Sequence, residues 1–417
     1  MSVKRISVLS MFVIQLSAQV IAIKAGFIVD PATATIKQNQ IILIEQQKIK
    51  TIGSSIDLTQ AQQVIDLSNS YVMPGLMDAH AHLSFGIPPY YKTNPDWEMY
   101  FLKESSAYRA LRGMKKAIEA LESGFTTIKD IGNDANYAMI DVRKAIETGY
   151  FVGPTLLNSG KIIAAFGGQS KGFSPEQGPF WQFEYIDADT PDEIRKAVRV
   201  NLYYGATTIK LVADNDRFFY SEEELKAGVD EAHRAGVTIS IHVYGGQAAT
   251  NVINARPESI EHGTNLTDKQ MEDMKDRGIF LVGTDFPEEH LKAMGSSDQR
   301  AKKTAKDVVD RLRRADKIGV KMAFGTDVIL DLPGKTRGQM NLDYLDVWQA
   351  AGVSSAKILK CMTTNAAELM AIQNERGALK QGLFADIIAS PDNPLSDIQT
   401  LKQVHFVMKD GKVVKQN

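Results

Sequence analysis

Four of the seven histidines stand at the ends of predicted strands, where imidazoles can bind divalent metal ions. His80 and His82 form a His-Ala-His triplet, and because alternate residues of a strand point to the same side, both rings can face one point. His242 and His262 each end a later apolar run. One such histidine alone would be interpreted as part of a packed core, but four at three strand ends favour a metal site.

Two further strand ends carry a lysine and a carboxylate. Lys210 lies among apolar residues, where a buried ammonium is costly unless it is paired or neutralised. A carbamate formed on its amine by carbon dioxide would make it an anionic ligand able to bridge two ions, whereas a lysine that reaches solvent is the alternative. Asp327 ends a Gly-Thr-Asp triplet and could ligate a metal and move a proton. Asp285 ends an identical triplet and stays a second candidate, although the order of the strands favours Asp327.

The remaining composition excludes several classes of protein. A single cysteine, Cys361, rules out an intramolecular disulfide and a cysteine-based zinc site, and we interpret it as a buried small hydrophobe. The net charge is −2, and Lys and Arg are scattered, which argues against nucleic acid or an anionic membrane as a partner. The histidines interpreted as structural are His233, His290 and His405.

The middle of the chain must position these residues, and there short apolar runs alternate with amphipathic helical stretches. This alternation is typical of a parallel sheet or barrel. Eight strands are predicted, at residues 75–82, 126–130, 155–163, 207–212, 238–242, 259–261, 279–282 and 321–326. Eight such units favour a (β/α)8 barrel over an open doubly wound sheet, whose nucleotide-binding glycine fingerprint is missing.

Both ends of the chain have a β pattern instead. Short strands with turn residues between them are predicted over residues 20–67 and again over 385–414. We therefore predict an α/β fold, a (β/α)8 TIM barrel with a small β-sandwich domain built from both chain ends. The domain boundaries are 20–73 and 379–417 for the two parts of the β-sandwich, and 74–378 for the barrel.

The first 19 residues pair a basic start, Lys4 and Arg5, with an apolar stretch. They resemble a secretory signal peptide, with Leu16 and Ala18 as a cleavage pattern, and this would place the protein in the periplasm or outside the cell. The alternative is that the stretch continues into the first strand of a cytoplasmic protein. Polar residues interrupt it, so no stable membrane span is expected.

The motifs together resemble those of the amidohydrolase superfamily, in the branch related to imidazolonepropionase and to prolidase-like Xaa-Pro and Xaa-Arg dipeptidases. The resemblance covers nearly the whole chain after the N-terminal stretch. Its motifs are Pro-Gly-Leu-Met-Asp-Ala-His-Ala-His at 74–82, Ile-Lys-Leu at 209–211, His-Val-Tyr-Gly at 242–245, Ser-Ile-Glu-His-Gly at 259–263 and Gly-Thr-Asp at 325–327.

The resemblance implies a role for each position. His80 and His82 would bind the more buried of two divalent ions, most simply zinc, and His242 and His262 the more exposed one. A carboxylated Lys210 would bridge the ions. Asp327 would ligate a metal beside the shared hydroxide that attacks the substrate, take its proton, and pass that proton to the departing amine.

One position departs from the pattern of this branch. Relatives often carry a histidine in a Gly-Gly-His segment, where it resembles a group that polarises the substrate carbonyl. Here the segment ends in Gln169, whose amide can donate a hydrogen bond but carries no positive charge. Gln169 is therefore a weaker candidate for this role. Tyr244, two residues beyond His242, could reach the substrate carbonyl or carboxylate, or could pack within its loop.

The preferred hypothesis is hydrolysis of an amide bond in a small molecule, a dipeptide or N-acyl amino acid with a C-terminal proline or basic residue. Aromatic residues in 85–97 and 166–185 suggest an apolar pocket wall. Hydrolysis of a cyclic amide, lactone or ester is the second enzymatic hypothesis. A mononuclear deaminase would leave Lys210 without a role, and a non-catalytic barrel scaffold would not be expected to keep all six positions. A homo-oligomer is left open.

Overall fold

The structure is a computed structural model that describes residues 19–86, 103–132, 135–170, 173–215 and 218–417. The predicted signal peptide and part of the aromatic stretch 85–97 lie outside these residues. Within them, no helix combines the length and the apolar character needed to cross a membrane.

Strands and helices alternate through the middle of the chain, and strands dominate both ends. The strands are β1 (Val20–Asp30), β2 (Thr35–Glu45), β3 (Lys48–Gly53), β4 (Gln63–Pro74), β5 (Leu76–Ala81), β6 (Phe125–Asp130), β7 (Thr155–Asn158), β8 (Ile162–Ala164), β9 (Tyr185–Asp187), β10 (Thr208–Val212), β11 (Thr238–Gly245), β12 (Ser259–Asn265), β13 (Phe280–Val282), β14 (Ile387–Ser390), β15 (Phe406–Lys409) and β16 (Lys412–Gln416). The helices are α1 (Ser106–Glu122), α2 (Ala138–Glu147), α3 (Pro191–Tyr203), α4 (Glu222–Arg234), α5 (Gly246–Ala255), α6 (Asp268–Arg277), α7 (Glu288–Ala293), α8 (Asp298–Ile318), α9 (Arg337–Ala350), α10 (Ser355–Cys361) and α11 (Thr364–Leu369).

The two ends of the chain meet in one seven-stranded sheet, in the order β16-β15-β14-β4-β1-β2-β3. The C-terminal strand β14 pairs antiparallel with β4, which in turn pairs parallel with β1. Buried apolar residues of this sheet's strands, including Ile23, Ile42 and Phe406, form an apolar cluster separate from the main core. The sequence predicted a β-sandwich built from both ends. In the described residues, the strands of both ends form this single mixed sheet.

The middle of the chain forms two parallel sheets, ordered β5-β6-β7 and β13-β12-β11-β10-β8-β9. Hydrogen bonds connect them at two places. The amide of Thr207, just before β10, donates to the Asn158 carbonyl at the end of β7 at 2.8 Å. On the far side, residues 321–327 bond to β13 through the Leu281 amide and the Lys321 carbonyl at 2.9 Å. The same segment bonds to β5, where the Asp327 amide donates to the His80 carbonyl at 2.7 Å.

Several of the helices between the strands are fixed at their N-termini by side-chain caps. Ser221 begins α4, where its side chain accepts a hydrogen bond from the Glu224 amide and the Glu224 carboxylate accepts one from the Ser221 amide. Such reciprocal bonds satisfy donors that the first helical turn leaves free. Buried apolar residues on these helices, such as Leu225 and Val229, join those of the strands, such as Ile209 and Ile239, in one large core.

Two predicted strands differ in the structure. The run 155–163 divides into β7 and β8, because Gly160 has a φ of +69° and breaks the extended chain. The run 321–326 forms only an isolated bridge between Leu281 and Met322. Its end departs from extended geometry, since Asp327 has a φ of +54°. Both departures reorient residues at the carboxyl ends of strands, where the predicted site lies.

Candidate metal centre

His80, His82 and Asp327 form a group that could hold a metal ion. The Nε2 atoms of the two histidines are 3.3 Å apart, and Asp327 Oδ1 lies 3.1 Å from His82 Nε2 and 3.6 Å from His80 Nε2. Both imidazoles are buried, and the Asp327 side chain is 13% exposed. The group therefore lies almost entirely inside the protein.

The second pair of histidines lies on the other side of Asp327. The rings of His242 and His262 have centroids 4.3 Å apart, and the ring of His262 is 5.2 Å from that of His80. Asp327 Oδ2 lies 3.7 Å from His262 Nδ1. The carboxylate therefore has one oxygen toward His80 and His82 and the other toward His262.

Lys210 lies on β10 beside the strand that carries His242. Lys210 is in register with Ser240, and Val212 is in register with His242, so Lys210 and His242 share one face of the sheet. Lys210 is 2% exposed. Burial lowers the pKa of its ammonium to about 8, although the charges of Glu261 and Asp327 oppose this. The structure thus brings Lys210 close enough to interact electrostatically with the histidines and Asp327.

The hydrogen bonds of His80 and His82 determine which nitrogens face the centre. His82 Nδ1 lies 2.9 Å from the Gly132 carbonyl oxygen, which can only accept. His80 Nδ1 lies 2.6 Å from Glu261 Oε2. Burial raises the pKa of Glu261, but His80, Lys210 and Lys129 outweigh it and lower that pKa to about 2, so the carboxylate is an acceptor. Both Nδ1 atoms therefore donate, and both Nε2 atoms present lone pairs.

These lone pairs make the donor set fit a divalent cation. Two imidazole nitrogens and a carboxylate oxygen face one another within 3.6 Å, an arrangement of acceptors that requires a positive charge between them. Burial lowers the pKa of His82, but the hydrogen bond and charge of Asp327 outweigh it and raise that pKa, so a proton can occupy this place in the metal-free protein. His242 Nε2 and Asp214 Oδ1 add two buried atoms without a hydrogen-bond partner among the described residues.

Neutral imidazoles are the forms that bind metals, and the site favours them. Burial, together with the charge of Lys210, lowers the pKa of His80 to about 4 and that of His242 to about 3. Burial and His242 likewise lower the pKa of His262. These three rings are therefore unprotonated at neutral pH and available as ligands.

We expect this protonation behaviour to be measurable in the metal-free protein. An unfolded histidine gains a proton near pH 6.5, whereas folded His242 does not until about pH 3, so stability is lost as the pH falls between these values. Between pH 7 and pH 4, the free energy of unfolding of His242→Asn should therefore fall by about 3 kcal/mol less than that of the wild type. Urea unfolding of chelator-treated protein measures this difference. A pH dependence in His242→Asn equal to that of the wild type would contradict the assignment.

Asp327 owes its position to a buried hydrogen-bond cluster around Asp78. The Asp78 carboxylate accepts hydrogen bonds from the Thr326 amide at 3.0 Å, the Thr326 hydroxyl at 2.7 Å and the Asn341 amide group at 3.0 Å. It also accepts one from the His80 amide at 3.2 Å. Burial raises the pKa of Asp78 to about 6 despite the nearby Arg337. These bonds fix the end of residues 321–327 against β5.

Gly325 packs at the same junction and provides a test of its tightness. A Cβ atom there would lie 2.4 Å from Val282 Cγ1 and 2.9 Å from His80 Cβ. Gly325→Ala should therefore lower the free energy of unfolding by about 2 kcal/mol and weaken metal binding, because His80 must move. Gly53→Ala is the matched control, since its Cβ would contact only the Ile56 side chain at 3.7 Å. Denaturant unfolding and zinc titration of both variants measure the effects, and equal stabilities would be contrary to this packing.

Asp285, the alternative to Asp327, lies elsewhere. Its Oδ1 accepts a hydrogen bond from Arg311 Nη2 at 2.5 Å, and Arg311 also donates to the carbonyl oxygens of His262 and Gly283. Thr284, between Gly283 and Asp285 in the sequence, has its Oγ1 2.8 Å from His262 Nδ1. Thr284 and Asp285 thus support His262 from outside the centre. Asp327, at the end of the other Gly-Thr-Asp triplet, points into the centre.

Tyr244 and Gln169 take different places. Tyr244 is 47% exposed, and its ring lies edge-on to His242 with centroids 4.6 Å apart, at the border of the centre. Gln169 Oε1 accepts a hydrogen bond from the Tyr185 hydroxyl at 3.4 Å. No contact between Gln169 and the four histidines is found in the described part of the chain. Cys361 is buried, and the three remaining histidines bond to Glu258, Asp343 and Ser70 rather than to the centre.

Sequence reasoning missed the residues that orient the candidate ligands. Glu261 is the clearest of them, and its signal was an acidic residue inside a buried strand directly before His262. Asp78 has a similar signal, two residues before His80. Asp214 has no comparable pattern, because it follows β10 in a loop and meets His242 only in the fold, with Oδ1 3.6 Å from Nε2.

Comparison with known proteins agrees with this geometry. Residues 71–414 match the model of the amidohydrolase family. The chain belongs to that family. This amidohydrolase is 31% identical over 434 aligned residues to ochratoxinase from Aspergillus niger, an alignment that covers 95% of the chain and 87% of the relative. The protein is therefore a hydrolase that acts on C–N bonds, a metal-dependent amide hydrolase.

Solved structures of the same family are similar over nearly the full length. A Xaa-Pro dipeptidase with bound methionine superposes with a TM-score of 0.81 at 27% identity, covering 95% of this chain and all of the other. A prolidase complexed with N-methylphosphonate-L-proline gives a TM-score of 0.82 at 25% identity, with 96% and 100% covered. The alignments thus cover both of these structures over their full length.

Proposed function

We propose that this amidohydrolase is a binuclear zinc hydrolase that cleaves an amide bond in a dipeptide or an N-acyl amino acid with a C-terminal proline or basic residue. The observation that carries the proposal is the Asp327 carboxylate, which turns one oxygen toward His80 and His82 and the other toward His262. In this arrangement His80 and His82 would hold one ion, and His242 and His262 the other. The two parallel sheets would close into a (β/α)8 barrel around them.

Lys210 would complete the ligand set as a carbamate. Its pKa of about 8 leaves roughly a tenth of the amine neutral at pH 7, and only the neutral amine reacts with carbon dioxide. The carbamate would replace a buried cation by an anion with two oxygens, which could bridge the ions. This removes the positive charge that otherwise lies next to the imidazoles.

The bound ions would lower the pKa of a shared water and polarise the substrate carbonyl. Asp327 would move the proton. Although burial raises its pKa, His80 and His82 lower it overall, so the carboxylate is ionised at neutral pH and can accept a proton. It would then deliver this proton to the nitrogen that leaves, the step that makes an amine a competent leaving group.

Two observations support the proposed substrate class: the known activities of the relatives and the aromatic residues near the site. The similarity to a Xaa-Pro dipeptidase and to a prolidase complexed with N-methylphosphonate-L-proline supports a substrate with a C-terminal proline. Aromatic rings lie after β8, at the carboxyl end of the strands, where Phe166 is 63% exposed and meets Trp181 edge-on at 5.2 Å. Together with Tyr244 they offer apolar contacts for the acyl side of the substrate.

A substrate panel with zinc-loaded enzyme tests the proposal. Xaa-Pro, Xaa-Arg and Xaa-Lys dipeptides, N-acyl amino acids and ochratoxin are compared with cyclic amides, lactones and simple esters, and release of free amino acid is quantified. We expect the first group to be turned over at least tenfold faster. Faster hydrolysis of the second group would favour the alternative of a cyclic amide, lactone or ester hydrolase. A lack of turnover by protein shown to contain two metal ions would refute both.

A further inference from the structure

A second lysine, Lys129 on β6, is completely buried near the proposed centre. Its Nζ donates a hydrogen bond to Ser240 Oγ at 2.5 Å. Within the described residues it makes no ion pair with a carboxylate. Burial lowers the pKa of its ammonium, and only the more distant charges of Glu261 and Glu258 oppose this. A buried lysine without a direct counter-ion is costly, so its presence calls for an explanation.

The hydrogen bond of Lys129 begins a chain that ends at a proposed metal ligand. Ser240 Oγ lies 2.8 Å from Ser259 Oγ, and the Ser259 hydroxyl donates to Glu261 Oε1 at 2.5 Å. Glu261 Oε2 accepts from His80 Nδ1 at 2.6 Å. Lys129, both serines, Glu261 and His80 are all fully buried. The chain crosses from β6 through β11 and β12 to β5.

Along this chain of hydrogen bonds, each donation runs from Lys129 toward Glu261. Lys129 can only donate, so Ser240 accepts from it and donates to Ser259, which donates to Glu261. The Glu261 carboxylate then has one oxygen held by Ser259 and the other free to accept from His80. A carboxylate fixed in this way keeps the proton of His80 on Nδ1 and its lone pair on Nε2, the atom that faces His82 and Asp327.

We propose that Lys129 is a positioning residue for the metal centre, which acts through Ser240, Ser259 and Glu261 to hold His80 as an Nε2 ligand. This inference rests on the proposed function, because it assigns Lys129 a role only if the centre binds metal. It separates the two buried lysines: Lys210 contributes to the ligand set, whereas Lys129 acts on a ligand from a distance through hydrogen bonds.

The test measures zinc affinity and metal-free stability in the same variants. Lys129→Met replaces the ammonium by an apolar chain of similar length, and Ser259→Ala interrupts the chain while leaving the charge in place. Each should weaken the tighter of the two zinc ions by tenfold to a hundredfold in competition with a chelator of known affinity. The melting temperature of metal-free Lys129→Met should be unchanged or higher, because an unpaired buried charge has been removed.

Two further variants make the result specific. In the double variant, Lys129→Met should add less than about threefold to the effect of Ser259→Ala, because both changes break one path. Lys409→Met, in the seven-stranded sheet, removes another buried lysine, which is ion-paired to Asp386 at 3.1 Å. It should lower the melting temperature and leave zinc affinity unchanged.

The outcomes distinguish this inference from the proposed function. Three outcomes would each overturn the role of Lys129 alone. The first is wild-type zinc affinity in Lys129→Met, and the second is fully additive effects in the double variant. The third is a loss of zinc affinity accompanied by a lower melting temperature of the metal-free protein. Wild-type protein that binds no divalent ion in the same titration would overturn the proposed function and this inference together.

Discussion

Replacement of Asp327 by asparagine should lower kcat for a Xaa-Pro dipeptide by about a thousandfold, within the range observed when a general acid or base is lost. Asparagine keeps the shape of the side chain and an oxygen for the metal, but it cannot accept a proton. Its Oδ1 would still lie near His82 Nε2, which is 3.1 Å from the carboxylate oxygen. Steady-state kinetics, with the metal content measured on the same sample, separate lost proton transfer from lost metal.

The comparison variant is Asp285→Asn, at the equivalent position of the other Gly-Thr-Asp triplet. Asp285 is buried and paired with Arg311, so its replacement should lower the melting temperature. Its effect on kcat should be small compared with that of Asp327→Asn. A larger loss of kcat in Asp285→Asn than in Asp327→Asn would reverse the assignment of the two triplets. Equal metal content in the wild type and Asp327→Asn is required for the comparison to report on the proton.

Lys210→Ala should remove at least one of the two metal ions and lower kcat/KM by a thousandfold or more. The variant loses the only proposed ligand that bridges the ions, and it leaves a space among buried residues, since Lys210 is 2% exposed. A short carboxylic acid such as acetate or propionate should enter this space, supply two oxygens and restore part of the activity. Metal analysis and activity assays over a range of propionate concentrations measure both effects.

The matched control is an exposed lysine such as Lys226 on α4, whose side chain is 53% exposed. Lys226→Ala should keep both ions and full activity, with no response to propionate. If Lys210→Ala kept two ions and wild-type activity, Lys210 would not be a ligand, and the centre would have to be rebuilt without it.

The relative placement of the proposed ligands could be predicted from the sequence because strand geometry repeats every two residues. His80 and His82 alternate on one strand, and the structure brings their Nε2 atoms to 3.3 Å. His242 and Lys210 lie at the ends of neighbouring strands, and their common face could be predicted from the parallel pairing of β10 and β11. Local pattern was sufficient wherever the strand itself sets the direction of the side chain.

The supporting contacts could not be predicted in this way, because they join residues far apart in the chain. Glu261 meets His80 across 181 positions, and Asp78 meets Thr326 across 248. No periodicity within one strand indicates which strand lies opposite. The sequence also does not indicate the backbone geometry at the site: His262 and Asp327 have positive φ values of 68° and 54°, which non-glycine residues rarely adopt.

The aromatic residues near the site were recognised by composition alone. Phe173 and Phe180 stack edge-on with centroids 4.5 Å apart, and Trp181 Nε1 donates to Asp187 at 2.8 Å. These contacts order the segment after β8, but a count of aromatic residues does not reveal which rings meet one another.

Anomalous diffraction from crystals of zinc-loaded protein, collected on both sides of the zinc absorption edge, tests the central claim most directly. The account predicts two peaks about 3.5 to 4 Å apart. The first should lie about 2.0 to 2.1 Å from His80 and His82 Nε2, and the second at the same distance from nitrogens of His242 and His262. Density for a carboxylated Lys210 should lie between them, with Asp327 beside one ion. A single peak, or peaks with Lys210 extended away from both, would contradict the binuclear centre.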